Sequence, residues 1–181
     1  MIYASKIFAF GCVAVALAVP TQALAGREGG GASARVLHVS WHEKKLMNRG
    51  RVSFLISEIT LSPGHGWSAV VKITNASPGP VGIVPRQPVA GLASSAGFGL
   101  AYKDKRNDGK PLPNPLLAVA ATSFTPPLPK VLRVGESWRG RFGSNVSPPA
   151  KTDAWLVFGW FAPKTLTEPQ FNWITDHSFR T

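Results

Sequence analysis

The stretch that decides the fold is Trp67–Asn75, which reads WSAVVKITN. Apolar side chains occupy every second position of this stretch: Trp67, Ala69, Val71 and Ile73. A period of two is typical of a β-strand that buries one face and leaves the other in solvent. The stretch therefore predicts a half-buried strand, with Lys72 on the solvent side.

Similar β-rich stretches lie on both sides of this one. Upstream, apolar positions alternate from Arg35 to His42, and Arg51–Leu61 is β-rich although its alternation slips near Ser57. Between them, Lys44–Gly50 has the composition of a turn or linker. Downstream, short strands are predicted at residues 81–84, 98–102, 130–134, 137–142 and 154–161, with a final edge strand near the C-terminus.

Two segments indicate where strands lie within the sheets. Ala154–Phe161 reads AWLVFGWF, so apolar residues occupy both of its faces and it should be the most buried strand. The prolines at 126, 127 and 129 exclude a central strand there and favour an edge, and Lys110–Ala121 is expected to run irregularly over an edge. Turn signals every 8–12 residues or so and the lack of helical periodicity predict an all-β antiparallel sandwich of about seven to nine strands.

Three of these segments carry a resemblance. They resemble strand and turn units of bacterial secreted immunoglobulin-like domains, and the resemblance covers about residues 50–162. The three segments are Trp67–Asn75, Val131–Phe142 and Phe98–Gly109. The resemblance implies an immunoglobulin-like β-sandwich in which the segment ending in Gly-Glu-Ser turns into a strand of the other sheet. It implies no catalytic residue, and apolar side chains must replace the disulfide of antibody-type domains.

The first 25 residues predict a secretory signal peptide. Lys6 supplies a positive n-region, Ile7–Val19 is apolar and uncharged, and Ala23–Ala25 provides the small residues of a cleavage site. We expect residues 26–34 to be a flexible leader and residues 35–181 to form a single domain.

This signal predicts a protein secreted to the periplasm or the cell exterior, with no transmembrane segment after cleavage. The one cysteine, Cys12, lies inside the predicted signal, so the mature chain would contain no thiol and no disulfide.

The strongest functional feature of the sequence is its positive charge. The formal net charge is +11, and it becomes +10 when Lys6 is removed with the signal. Such a protein is attracted to polyanions such as anionic envelope polymers, and any nucleic-acid binding would be independent of sequence. The competing interpretation is a solvated surface whose charge only aids solubility.

The basic residues fall into clusters. Arg139 and Arg141 share one face of a predicted strand, with Trp138 and Phe142 on the opposite, core-facing side. The predicted polyanion contacts are Arg133, Arg139, Arg141, Lys103, Lys105, Arg106 and Lys110. A further basic cluster contains Lys44, Lys45, Arg49 and Arg51.

Catalytic and metal-binding motifs are weak. His38 and His42 stand four residues apart on a predicted strand, which separates them by about 13 Å and opposes chelation of one ion. Asp104–Gly109 lacks a calcium-loop pattern because Arg106 occupies its third position, and no G-x-S-x-G elbow is present. The sequence therefore predicts a non-enzymatic protein without a cofactor.

The sequence thus favours a secreted, monomeric binding or structural module that contacts anionic envelope polymers. Two alternatives stay open. One is a protein-binding inhibitor or adhesion accessory that binds an extracellular protein through loops of the sandwich. The other is a hydrolase whose site has no recognisable motif.

Overall fold

The computed structural model describes residues 33–47, 50–84, 97–103, 116–163 and 170–181. These residues form β-strands and no helix, which confirms the predicted all-β class. Residues 1–25 and most of 26–34, the predicted signal and leader, lie outside them. The strands are β1 Arg35–Met47, β2 Gly50–Ser62, β3 Gly66–Asn75, β4 Val81–Val84, β5 Gly99–Lys103, β6 Leu116–Ala120, β7 Ser123–Thr125, β8 Val131–Leu132, β9 Ser137–Ser144, β10 Asp153–Pro163, β11 Phe171–Ile174 and β12 Phe179–Arg180.

The strands form two antiparallel sheets. The first sheet has the order β1-β2-β3-β9-β7. The second has the order β6-β5-β10-β4-β8, and β11 and β12 also pair with β10. The described strands number twelve, against seven to nine predicted: β6 and β7 form where no strand was predicted, and the C-terminal edge strand is divided into β11 and β12.

Strand β10 is the centre of the second sheet. Val157 pairs with both Gly99 and Ile174, and Phe161 pairs with both Ile83 and Phe171. Strands β5 and β4 therefore follow one side of β10, while β11 lies on the other. This position explains the apolar residues on both faces of β10 and confirms that it is heavily buried.

The inward faces of the two sheets form one hydrophobic core. Its contact layer is aromatic: the ring of Phe54 in the first sheet lies 4.6 Å from that of Phe158 in the second. The largest side chains that are fully buried here are Phe54, Phe142, Phe158, Phe161, Ile56 and Ile59.

The predicted slip of alternation near Ser57 is a β-bulge. Val71 pairs with Ile56 while its neighbour Val70 pairs with Glu58, so Ser57 has no partner on β3. The extra residue moves the buried positions of β2 from even to odd numbers, from Ile56 to Ile59.

Two turn or loop predictions were wrong. Residues Lys44–Met47 belong to β1, which pairs with β2 as far as Met47 and Gly50. The lysines suit this position because charged side chains are common on edge strands. Likewise Leu116–Ala120, expected to be irregular, is a regular edge strand paired with β5.

Candidate functional site

The candidate site lies on the solvent-facing side of the first sheet. Arg139 and Arg141 on β9 are both exposed, whereas Trp138 and Phe142 are only 5% and 0% exposed and face the core. This confirms the sequence prediction that the two arginines share one strand face.

The register of the sheet adds cations from neighbouring strands. Lys72 on β3 is the direct partner of Arg139 on β9. Next to Lys72 on β2 is Leu55, and its partner on β1 is His42. We call the surface formed by Lys44, Arg51, Lys72 and Arg139 the basic face.

Part of the basic face is concave. A depression of about 400 Å³ lies over β1, β2 and β3. Its walls include the cationic side chains of Lys44, Arg51 and Lys72, and Leu55 contributes apolar surface. A volume of this size lies within the usual range of small-ligand sites.

The cations of this sheet differ in their partners. Arg141 donates to Glu58 at 2.8 Å and to Ser68 at 2.9 Å, so its charge is neutralised within the protein. The hydrogen bond from Arg141 lowers the pKa of the Glu58 carboxyl. Within the described part of the chain, no carboxylate forms an ion pair with any of the four cations of the basic face.

Hydroxyl groups lie beside these cations. Thr74 and Ser137 are the next register pair on the same face of β3 and β9, and their hydroxyl oxygens are 2.8 Å apart. The basic face therefore combines ammonium, guanidinium and hydroxyl donors, which are the groups that bind oxyanions.

The structure does not gather all the predicted contact residues. Arg133 lies exposed in the connection between β8 and β9, where its backbone N–H donates to Glu136. Lys103 ends β5 in the second sheet, with its ammonium 6.0 Å from the ring centroid of Trp155, and is not brought next to Arg139. The other three predicted contacts, Lys105, Arg106 and Lys110, lie outside the described residues.

Sequence reasoning missed Lys72. The alternation of Trp67–Asn75 places its side chain in solvent, but nothing local indicates that β9 is the neighbouring strand. The pairing of Lys72 with Arg139 joins positions that are far apart in the sequence, so only the fold brings these two charges together.

A second polar cluster connects the two sheets. The carboxylate of Glu43, on β1, is buried and accepts hydrogen bonds from Trp173 Nε1 at 2.8 Å and from the backbone N–H of His177 at 3.2 Å. His177 Nδ1 lies 2.8 Å from the same carboxylate, and its ring stacks on Trp41. These contacts fix β1 to the C-terminal segment.

Metal-binding groups do not assemble in the described residues. No group of three or more His, Cys, Asp or Glu side chains there could hold a metal ion. The residues with described structure also include no helix that could span a membrane. Comparison of the chain with protein-family models, curated proteins and solved structures finds no match.

Proposed function

We propose that this protein is a secreted, non-catalytic binding module that holds anionic polymers of the cell envelope on its basic face. The observation that carries the proposal is the set of four exposed cations on one sheet surface, three of them around a depression, without carboxylate partners among the described residues. Because the net charge of the chain is +11, long-range attraction would bring polyanions toward the protein.

The finer fold in this proposal is an immunoglobulin-like sandwich. One feature supports it: the chain passes from β8 in the second sheet to β9 in the first through Gly135, Glu136 and Ser137. Gly135 has a φ of +76°, which glycine adopts without strain. The segment thus changes sheets at the Gly-Glu-Ser position that the resemblance implies.

The proposal is tested by retention of the purified protein on immobilised teichoic acid and lipopolysaccharide in a salt titration. We expect retention to fall steeply between about 50 and 200 mM salt, because binding of a polyanion releases counterions. The double variant K72Q/R139Q should weaken retention about tenfold at 50 mM salt.

A matched control removes two positive charges elsewhere. The double variant K130Q/K151Q has the same net charge as K72Q/R139Q, but its two exposed lysines precede β8 and β10 of the second sheet. An equal loss of retention in both variants would contradict the proposal, since binding would then depend only on net charge.

One observation favours the protein-binding alternative. Strand β1 is an edge strand of 13 residues, and its Val36 and Leu46 are 46% and 64% exposed. An exposed edge can accept an extended segment of another protein. Retention on an extracellular protein that resists high salt would favour this function over polyanion binding.

A further inference from the structure

Two like charges face each other directly in the basic face. Lys72 and Arg139 are register partners on β3 and β9, and both side chains are exposed. Like charges directly opposite on adjacent strands destabilise a sheet. On the same sheet, Arg141 has Glu58 beside it at 2.8 Å. An anion between Lys72 and Arg139 would therefore relieve a repulsion that the described chain leaves uncompensated.

The neighbouring hydroxyl pair adds a neutral donor. Thr74 and Ser137 lie two residues further along the same strands, a distance of about 7 Å. Each hydroxyl has one hydrogen, and only one of the two hydrogens is used in their shared bond. The accepting hydroxyl keeps its own hydrogen and can donate it to a bound anion.

We propose that Lys72, Arg139 and the Thr74–Ser137 hydroxyl pair form a discrete subsite for a phosphate ester. A guanidinium group matches two phosphate oxygens, while an ammonium and a hydroxyl can bind others. The donors come from two strands and two register positions, and together they can serve more oxygens than the two of a carboxylate, which favours phosphate.

The depression beside the subsite receives the group that the phosphate carries. Lys72 belongs both to the subsite and to the wall of this depression, where Leu55 provides apolar surface. A sugar or glycerol unit attached to the phosphate would contact Leu55. This inference rests on the proposed function and names the anion class that the basic face selects.

The test is an NMR titration of the ¹⁵N-labelled protein, expressed from its full sequence, with inorganic phosphate and, separately, with acetate at constant ionic strength. We expect saturable amide shifts at residues 72–74 and 137–139 with phosphate, and at least about tenfold weaker binding of acetate. K72Q/R139Q should weaken phosphate binding at least tenfold, S137A about threefold, and K130Q/K151Q not at all. Equal responses to phosphate and acetate, or phosphate binding unchanged in K72Q/R139Q, would overturn the subsite.

The outcomes separate the subsite from the proposed function. Salt-sensitive retention on polymers without saturable phosphate binding would overturn the subsite alone. Saturable phosphate binding without retention on any polymer would support the subsite and overturn the proposed function. Where phosphate binds, displacement by teichoic acid identifies a polymer phosphodiester as the source, and displacement by phosphatidylglycerol vesicles identifies a lipid headgroup.

Discussion

At the residue scale, Asn75 fixes the connection that follows β3. Its side-chain amide donates to the carbonyls of Gly79, Leu132 and Arg133, and its oxygen accepts from the backbone N–H of Ser77. The residue is fully buried, so water cannot replace these partners. One side chain thereby holds both the turn before β4 and the segment that leads into β9.

The change N75A should lower the free energy of unfolding by about 3 kcal/mol, because it leaves buried carbonyl and N–H groups without partners. Chemical denaturation, monitored by tryptophan fluorescence, measures this change in the free energy of unfolding. N145A is the control, since Asn145 is exposed and its replacement should change stability by less than about 0.5 kcal/mol. Equal effects of the two changes would show that the Asn75 hydrogen bonds are not stabilising.

The Glu58–Arg141 pair makes a pH-dependent contribution to stability. The hydrogen bond from Arg141 lowers the pKa of the Glu58 carboxyl below its ordinary value of 4.5. The folded state therefore favours the charged carboxylate, and the contribution is complete above about pH 4.5 and is lost as the pH falls through the lower folded-state pKa. We expect the wild type to be more stable than E58Q at pH 7 and this advantage to shrink below pH 4.5, as measured by denaturation at each pH.

R141Q is the matched variant for this experiment. In R141Q the Glu58 pKa should return toward its ordinary value, which a carboxyl-detected NMR titration measures. A Glu58 pKa unchanged by R141Q would contradict the assignment of the shift to this pair.

Single residues were partly predictable from the sequence. Alternation alone placed Arg139 and Arg141 in solvent, because strand periodicity is a local property. It could not show that Arg141 is neutralised by Glu58 while Arg139 is not, because that difference depends on which strands are neighbours.

At the element scale, the bulge at Ser57 determines which side chains of β2 face the core. Residues before it bury even positions and residues after it bury odd positions, and Ile56 and Ile59 are both 0% exposed. The sequence predicted this slip because the apolar pattern itself changes phase. The strand character of Lys44–Met47 was not predictable, since it depends on pairing with β2 and not on an apolar pattern.

Deletion of Ser57 should prevent folding. Without the extra residue, either Ile59 and Leu61 or the preceding apolar residues would turn to solvent, at about 1.5–3 kcal/mol for each large side chain. Such a loss is a large part of the total stability of an ordinary domain. Circular dichroism and thermal melting of the purified variant measure the outcome.

S57A keeps the bulge and serves as the control. It removes only the hydrogen bond from the Ser57 hydroxyl to the carbonyl of Val70, so we expect a loss of about 1 kcal/mol with the fold retained. A folded deletion variant with wild-type stability would contradict the role given to the bulge.

At the scale of the whole molecule, two kinds of contact join the sheets. The first is the apolar layer in which Phe54 meets Phe158. The second is the buried carboxylate of Glu43, which reaches from β1 to Trp173 and His177. The all-β class followed from strand spacing and turn signals, but strand order and this polar contact involve residues far apart in the chain and could not be predicted from it.

E43A should lower the free energy of unfolding by about 3 kcal/mol, because the donors of Trp173 and His177 lose a buried acceptor. Amide hydrogen exchange should also accelerate in β11 and β12 more than in β3. The exposed Asp176 provides the control variant D176A, for which we expect a change below about 0.5 kcal/mol. Uniform acceleration of exchange across both sheets would contradict a local role for Glu43.

The pairing of β10 also determines the order in which the two sheets can form while the chain is synthesised. The hairpins of β1, β2 and β3 can close as soon as residue 75 leaves the ribosome, because β1 pairs with β2 and β2 pairs with β3. The second sheet must wait for residues 153–163, and its last partner, β12, is made only at residue 180. The nascent chain therefore presents the apolar side of its first hairpins while residues 76–163, about half of the chain, are synthesised, and a holding chaperone would act in this interval.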